Sequence, residues 1–269
     1  MPYVLAPDDC EIYYEVHGSQ GTPLVLLAGQ ANTHHWWDAV RPDFEGVHQA
    51  VVIDWRGTGR SAKPDDDSYS TRAFAADVLA VLDHLGIQRA GVYGTSMGGR
   101  VAQWLAADHP DRVEALVLGC TSPGGAHSVE RSPVVRRALS QPDTAKARRA
   151  LLELMYTPAY LAAHVGPYHT LGDPTMPNHA RRHHLRASAQ HDAWEVLPRI
   201  IAPTLIVHGS DDRFNPTANA SLLAGRIPHA RIHLISRARH AYFEEFRSSA
   251  SPLVLDFLDQ AHHRQSSRH

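Results

Sequence analysis

The 269-residue sequence predicts an α/β architecture: a mostly parallel eight-stranded sheet flanked by helices, with a helical lid inserted into it. Through residue 121, apolar runs of strand length alternate with stretches of helical period, an alternation that favours parallel strands joined by right-handed helical crossovers. Residues 122–196 then offer no good strand, only proline-punctuated helical stretches, and from 197 the alternation resumes. The expected organisation is a core in two parts, 1–121 and 197–269, with 122–196 as the lid.

Tyr3 to Ala6 and Glu11 to His17 read as a hairpin around Pro7-Asp8-Asp9. Pro23 to Ala28 is a continuous apolar run ending at Gly29, the pattern of a strand buried on both faces. A polar loop, Gln30 to His35, precedes an expected helix over Trp36 to Phe44, and His48 to Trp55 is the next strand. Phe74, Val78, Leu82 and Leu85 recur at helical spacing over Thr71 to Leu85, and Gly86 stops that helix. Arg89 to Tyr93 is a short buried strand, followed by a helix through Gln103 to Ala106, and Val113 to Gly119 is a strand again. The lid stretches are Ser132 to Leu139, Thr144 to Met155, Pro158 to Val165 and His179 to Ala193. Beyond them come a strand over Pro203 to Gly209, a helix near Thr217 to Ala224, a last strand over Ala230 to Ile235 and a helix from Tyr242 to about Asp259. The tail from His262 is polar and expected to fray.

Composition removes several function classes. The net charge is −2 and no basic arm carries interleaved aromatics, so a nucleic-acid partner is not expected. The first residues lack a basic and apolar leader pattern, and no run is long enough to span a bilayer; the expectation is a soluble, cytoplasmic protein without a membrane partner. Cys10 and Cys120 are too few for a disulfide framework or a zinc cluster. Adjacent histidines at His34-His35 and His183-His184 point in different directions on a helix or strand, so no metal site is expected.

The stretch that carries chemistry is Gly94-Thr95-Ser96-Met97-Gly98-Gly99, set between a strand and a helix. A sharp turn there forces Ser96 into strained backbone angles, and Gly94 and Gly98 remove side chains that would collide. A serine hydroxyl is a poor nucleophile unless a base takes its proton and a carboxylate orients that base. Asp211 and Asp212 follow one strand and His240 follows the next, so all would lie at the sheet edge that holds Ser96. The chain order is Ser, Asp, His, which is the order of hydrolases built on this kind of sheet.

With these segments the chain resembles the α/β-hydrolase fold superfamily over nearly its full length. The similarity rests on Gly94-x-Ser96-x-Gly98-Gly99, Asp54-x-Arg56-Gly57-x-Gly59-x-Ser61, Gly209-x-x-Asp212-x-x-x-Pro216 and the Arg239-His240 loop. The resemblance implies Ser96 as nucleophile, His240 as base and Asp212, four before the proline, as the acid. It also implies an oxyanion hole from the backbone amides of Gln30 and Met97. Ala28 stands where many members carry histidine before the equivalent of Gly29, a side chain on which backbone donors do not depend. The Ala28-Gly29-Gln30 loop with Trp36-Trp37-Asp38, the lid and the double glycine are most similar to the 3-oxoadipate enol-lactonase-like branch. The function implied is hydrolysis of a carboxylic ester or lactone without a cofactor; carbon-carbon bond hydrolysis and acyl transfer use the same triad, and a non-catalytic ligand-binding protein on this fold would normally have lost triad members.

Each of these residues also has a plainer reading. Ser96 could cap the following helix, Asp212 could pair with Arg213, and His208 and His229 also flank core strands. Asp54 and Arg56 are expected to brace a strand end, whereas Trp36 and Trp55 are candidates for the substrate-pocket wall. Between Ser122 and Arg199 ten Arg or Lys residues face six carboxylates, so the lid is positive in a negative chain. Solvated helix faces account for such a surplus; the sharper expectation is that Arg181, Arg182 or Arg186 receives a carboxylate on the substrate.

Overall fold

The computed structural model describes residues 2–266. Eight strands form one sheet in the order β1-β2-β4-β3-β5-β6-β7-β8. They are β1 (Tyr3–Leu5), β2 (Glu11–His17), β3 (Thr22–Leu27), β4 (His48–Ile53), β5 (Ala90–Thr95), β6 (Val113–Gly119), β7 (Thr204–Gly209) and β8 (Arg231–Ile235). The β1–β2 and β2–β4 pairs are antiparallel and the other five pairs parallel, in keeping with a hairpin start followed by helical crossovers. In the hairpin turn Asp9 takes a φ of 61°.

The helices are α1 (Thr71–His84), α2 (Met97–Asp108), α3 (Pro133–Leu139), α4 (Thr144–Met155), α5 (Pro158–Ala163), α6 (Asn178–Ala189), α7 (Ala218–Arg226), α8 (Tyr242–Glu245) and α9 (Arg247–Ser266). Their starts are written in the sequence: Ser70, Ser132, Asp143 and Thr157 accept hydrogen bonds from the exposed first-turn amides of α1, α3, α4 and α5. Residues on alternate sides of the central strands enter two separate apolar layers. Val25, Leu27, Val51, Ile53 and Val92 meet α1 and α2, and Leu24, Leu26, Ala50, Val52 and Tyr93 meet α9 and part of the insertion.

Three elements differ from expectation. Instead of one helix over 36–44 there are two 3-10 turns, His34–Trp37 and Arg41–Asp43, because Pro42 supplies no amide to continue a helix begun at Trp36. The last helix is split at Phe246 into α8 and α9, and α9 carries on through the expected frayed tail to Ser266; residues 267–269 lie outside the described part. Helix α6 ends at Ala189 rather than Ala193, since the following residues turn back to the exit of β6, where the Ala193 amide bonds Pro123 O. Between β6 and β7 the chain is helical, with no strand among the described residues.

Candidate active site

At the carboxyl end of β5 the chain reverses into α2 through Ser96, whose φ of 55° and ψ of −120° are sterically costly for a residue with a Cβ. The surroundings fix this conformation: the Ser96 amide donates to Gly119 O at 2.8 Å, and Ser96 O accepts from Thr121 Oγ1 at 2.7 Å. Gly94 and Gly98 have ordinary φ, so close packing is what excludes a side chain. A Cβ on Gly94 would lie 2.3 Å from Gly98 O, and one on Gly98 would lie 2.1 Å from Leu27 O. Ser96 occupies the N-cap position of α2 without making a side-chain capping bond. Its hydroxyl makes no hydrogen bond among the described residues, and Ser96 lines a cavity at that sheet edge.

Two loops away, the His240 ring meets the Asp212 carboxylate, Nδ1 to Oδ2 at 2.7 Å. The carboxylate only accepts, so Nδ1 carries the proton and Nε2 presents a lone pair. That Nε2 is buried and has no partner among the described residues. Asp212 is held from the other side by the amides of Phe214 and Asn215, each 2.9 Å from Oδ1. Burial alone would raise the Asp212 carboxyl; the charge and hydrogen bonds of the adjoining His240 and His208 rings outweigh it and hold the group well below the usual carboxylate range. The Asp211 carboxylate is exposed and accepts from its neighbour Ser210 Oγ at 2.9 Å, and Arg213 forms no ion pair with Asp212 among the described residues.

Ser96 and His240 open on one cavity of about 660 Å³ roofed by the insertion, also lined by Gln30, Trp36, Met155 and Phe214. A hollow of about 830 Å³ at the amino ends of β7 and β8 is larger but is lined by no serine or cysteine. The amides of Gln30 and Met97 donate no hydrogen bond among the described residues, leaving both available beside Ser96. Trp36 reaches the cavity wall with its Nε1 bonded to Thr95 Oγ1 at 2.9 Å and its ring stacked on Phe243. Trp55 does not reach it: its ring lies beneath the sheet edge against Phe74, with Nε1 toward Ala28 O at 3.3 Å, so it is a core residue and not pocket wall.

Asp54 and Arg56 do brace a strand end, though not by pairing together. Arg56 forks onto buried Asp77 and onto Asp8, while Asp54 takes the His34 amide at 2.8 Å and its ring at 2.7 Å. The paired histidines are separately employed: His35 meets Asp38, His183 meets Asp65, and His184 bridges Ala31 N and Arg56 O. No group of three or more His, Cys, Asp or Glu capable of holding a metal occurs among the described residues, and no helix there is long and apolar enough to cross a membrane.

Sequence reasoning named His208 as an alternative base but missed its contact with Asp212, and it missed Asn32 and the cavity-facing Arg100, Arg131 and Arg136. His208 lies 3.2 Å from Asp212 Oδ2 as a second imidazole on the same carboxylate; its position four residues before Asp212 was the available signal. Asn32 ties the Gln30 loop to the insertion, with Oδ1 accepting from Gly172 N at 2.8 Å. Of the three lid arginines singled out, Arg181 lines the cavity and Arg186 turns away to Asp67 at 2.6 Å. Arg182 is exposed and not part of the lining, whereas Arg100, Arg131 and Arg136 are.

Residues 22–150 match the family model described as alpha/beta hydrolase fold. The putative carbamate hydrolase RutD of Azorhizobium caulinodans is 31% identical, over 97% of this chain and 99% of its own. A solved structure described as Est816, an N-acyl homoserine lactone degrading enzyme, is 31% identical with a TM-score of 0.79, covering 95% of this chain and all of that one. The enol-lactonase from Burkholderia xenovorans LB400 superposes with a TM-score of 0.80 over 96% of this chain and 100% of its own, at 24% identity, a likeness of fold alone.

Proposed function

Because the chain belongs to the alpha/beta hydrolase fold family, we propose that it cleaves a carboxylic ester or lactone through a Ser96–His240–Asp212 triad. His240 Nε2 takes the Ser96 proton as Oγ attacks the carbonyl carbon, and Asp212 holds the ring in the tautomer that permits this. The amides of Gln30 and Met97 stabilise the oxyanion, commonly the largest single contribution in such sites. His240 then protonates the leaving alkoxide, and water attacks the acyl-enzyme by the same route in reverse. The reading calls for no cofactor, and its partner is a small molecule bound between Trp36 and the insertion. One observation carries it: a strained serine free of capping duty opens on the same cavity as a carboxylate-bound imidazole whose second nitrogen is buried and unpartnered. The carbamate hydrolase relative adds carbamates to the bonds worth testing.

The test is a panel of aryl esters, lactones, carbamates and carbon-carbon hydrolase substrates, with a fluorophosphonate label mapped by peptide sequencing. Ester or lactone turnover and label on Ser96 are expected, with Ser96→Ala lowering kcat about 10⁴-fold or more. Label on Ser122 or Ser210 would move the nucleophile, and carbon-carbon cleavage without ester turnover would replace the reaction class.

A further inference from the structure

The cavity that holds Ser96 is lined by four arginines, Arg100, Arg131, Arg136 and Arg181, and by one carboxylate, Glu130. Two of the four have a structural occupation at the cavity rim: Arg136 Nε donates to Arg131 O at 3.1 Å and Arg181 Nη2 to Asp173 O at 3.2 Å, and both residues are otherwise exposed. The other two are different. Arg100 stands on α2 one helical turn beyond Ser96 and lines the same cavity. Nη1 donates to Ser188 O at 2.6 Å and Ser188 Oγ at 2.8 Å, and Nη2 to Ser122 Oγ at 2.9 Å. All three acceptors are neutral, and of the five N–H groups of a guanidinium two remain unspent. The Arg131 side chain makes no hydrogen bond or ion pair among the described residues, and its guanidinium lies 4.1 Å from the centre of the Phe214 ring. Phe214 in turn packs edge-on to His240 at 4.7 Å, so Arg131 is one aromatic ring away from the base. Glu130 is exposed and forms an ion pair with neither.

A guanidinium removed from bulk water normally has a carboxylate or phosphate to compensate its charge. Here burial, and secondarily the charge of Arg131, pull the Arg100 guanidinium down to about 10. Burial likewise lowers Arg131. Glu130 offsets both charges only from a distance, as Asp212 does that of Arg131, and neither guanidinium forms an ion pair among the described residues; two like charges so placed on one cavity suit an anion.

We propose that Arg100 and Arg131 form an anion-binding subsite beside Ser96 that receives a carboxylate carried by the substrate. This rests on the ester-hydrolase reading and narrows it to half-esters or lactones of short dicarboxylic acids. The short reach follows from Arg100 being one turn, roughly 6 Å along the helix, from the nucleophile. Guanidinium suits the role because it offers carboxylate two parallel donors.

The experiment has two arms. In the first, kcat/KM for 4-nitrophenyl hemiglutarate is compared with that for 4-nitrophenyl pentanoate, which replaces the carboxylate by a methyl group. The wild type is expected to favour the half-ester at least tenfold, and Arg131→Leu and Arg100→Met each to shrink that ratio at least fivefold, mainly through KM. In the second, glutarate is titrated calorimetrically into wild type and variants, with 1,5-pentanediol as the neutral probe. Glutarate should bind the wild type and lose at least tenfold in affinity in Arg131→Leu, a cavity-facing change whose folding is checked by its melting curve. Glutarate binding without any ester turnover would overturn the ester-hydrolase reading and leave the subsite standing. Ester turnover with no preference for the half-ester and no glutarate binding would overturn the subsite.

Discussion

Asp212→Asn isolates the orienting role of the acid, because the amide fits the same space. Its oxygen can keep the two bonds from the Phe214 and Asn215 amides, both 2.9 Å long in the native protein. Its NH₂ then faces His240 Nδ1 where Oδ2 now accepts at 2.7 Å. A donor in that place favours the tautomer with the proton on Nε2, which cannot take a proton from Ser96. The loss is that of a triad with its base in the wrong tautomer, about 10⁴-fold in kcat, or about 5.4 kcal/mol of barrier. Stopped-flow acylation with a chromogenic ester measures it directly. Asp211→Asn, at an exposed carboxylate, should stay within about twofold, as surface changes away from the chemistry do. Retention of activity within tenfold by Asp212→Asn, or a larger loss at Asp211, would refute the assignment of the acid.

Two further outcomes follow from the packing around the site. Gly98→Ala puts a Cβ 2.1 Å from Leu27 O and 2.7 Å from Ala28 O, so α2 must move off β3; a cost of about 3 kcal/mol and a fall in Tm of roughly 10 °C are expected by calorimetry, and an unchanged Tm would show that the approach is not tight. His184 accepts from Ala31 N and donates to Arg56 O as a neutral ring, and burial lowers its pKa to about 4. The unfolded ring takes its proton near 6.5, so its contribution is fully present above that pH and is lost as pH falls toward about 4, on the order of 3 kcal/mol in all. His184→Gln should therefore flatten the decline of Tm between pH 6.5 and 4, with His191 still contributing in the same sense; parallel curves for wild type and variant would contradict the assignment.

What could be read in the sequence was what local backbone chemistry decides. The Gly94-to-Gly99 turn announces itself because its glycines are required by atoms within a few residues or on the neighbouring strand. The strand ends that carry Asp212 and His240 follow from apolar runs and the rule that parallel strands present their carboxyl ends together. The identity of the cavity-facing arginines was not accessible in this way. Arg186 belongs to Asp67, 119 residues earlier in the chain, and Arg100 belongs to Ser188, 88 residues later, pairings that no periodicity encodes. Trp55 failed for a related reason: bulk and apolarity suit a pocket wall and a core equally, and only the course of α1 and its Phe74 decides between them. Pro42 was legible as a helix breaker and outweighs the aromatic run before it.

The insertion is joined to the chemistry more closely than the word lid suggests. The last carbonyls of α4 accept from the loop that carries His240, Leu154 O from the His240 amide at 3.4 Å and Met155 O from the Ala241 amide at 2.9 Å. Buried Tyr156, next in the chain, donates to Glu244 Oε2 at 2.6 Å, and Thr157 N donates to Glu245 at 2.9 Å. On the opposite wall, Asp173 N donates to Ala31 O at 2.7 Å and Gly172 N to Asn32, in the loop that carries Gln30. The last carbonyls of a helix have no partner within it, and here the His240 loop supplies partners for two of them. Both His240 and the Gln30 loop thus take their positions from the same insertion that bounds the cavity. Under the proposed triad, changes in the insertion that alter substrate choice should alter kcat as well as KM, because the segment bounding the cavity also holds His240 and the Gln30 loop.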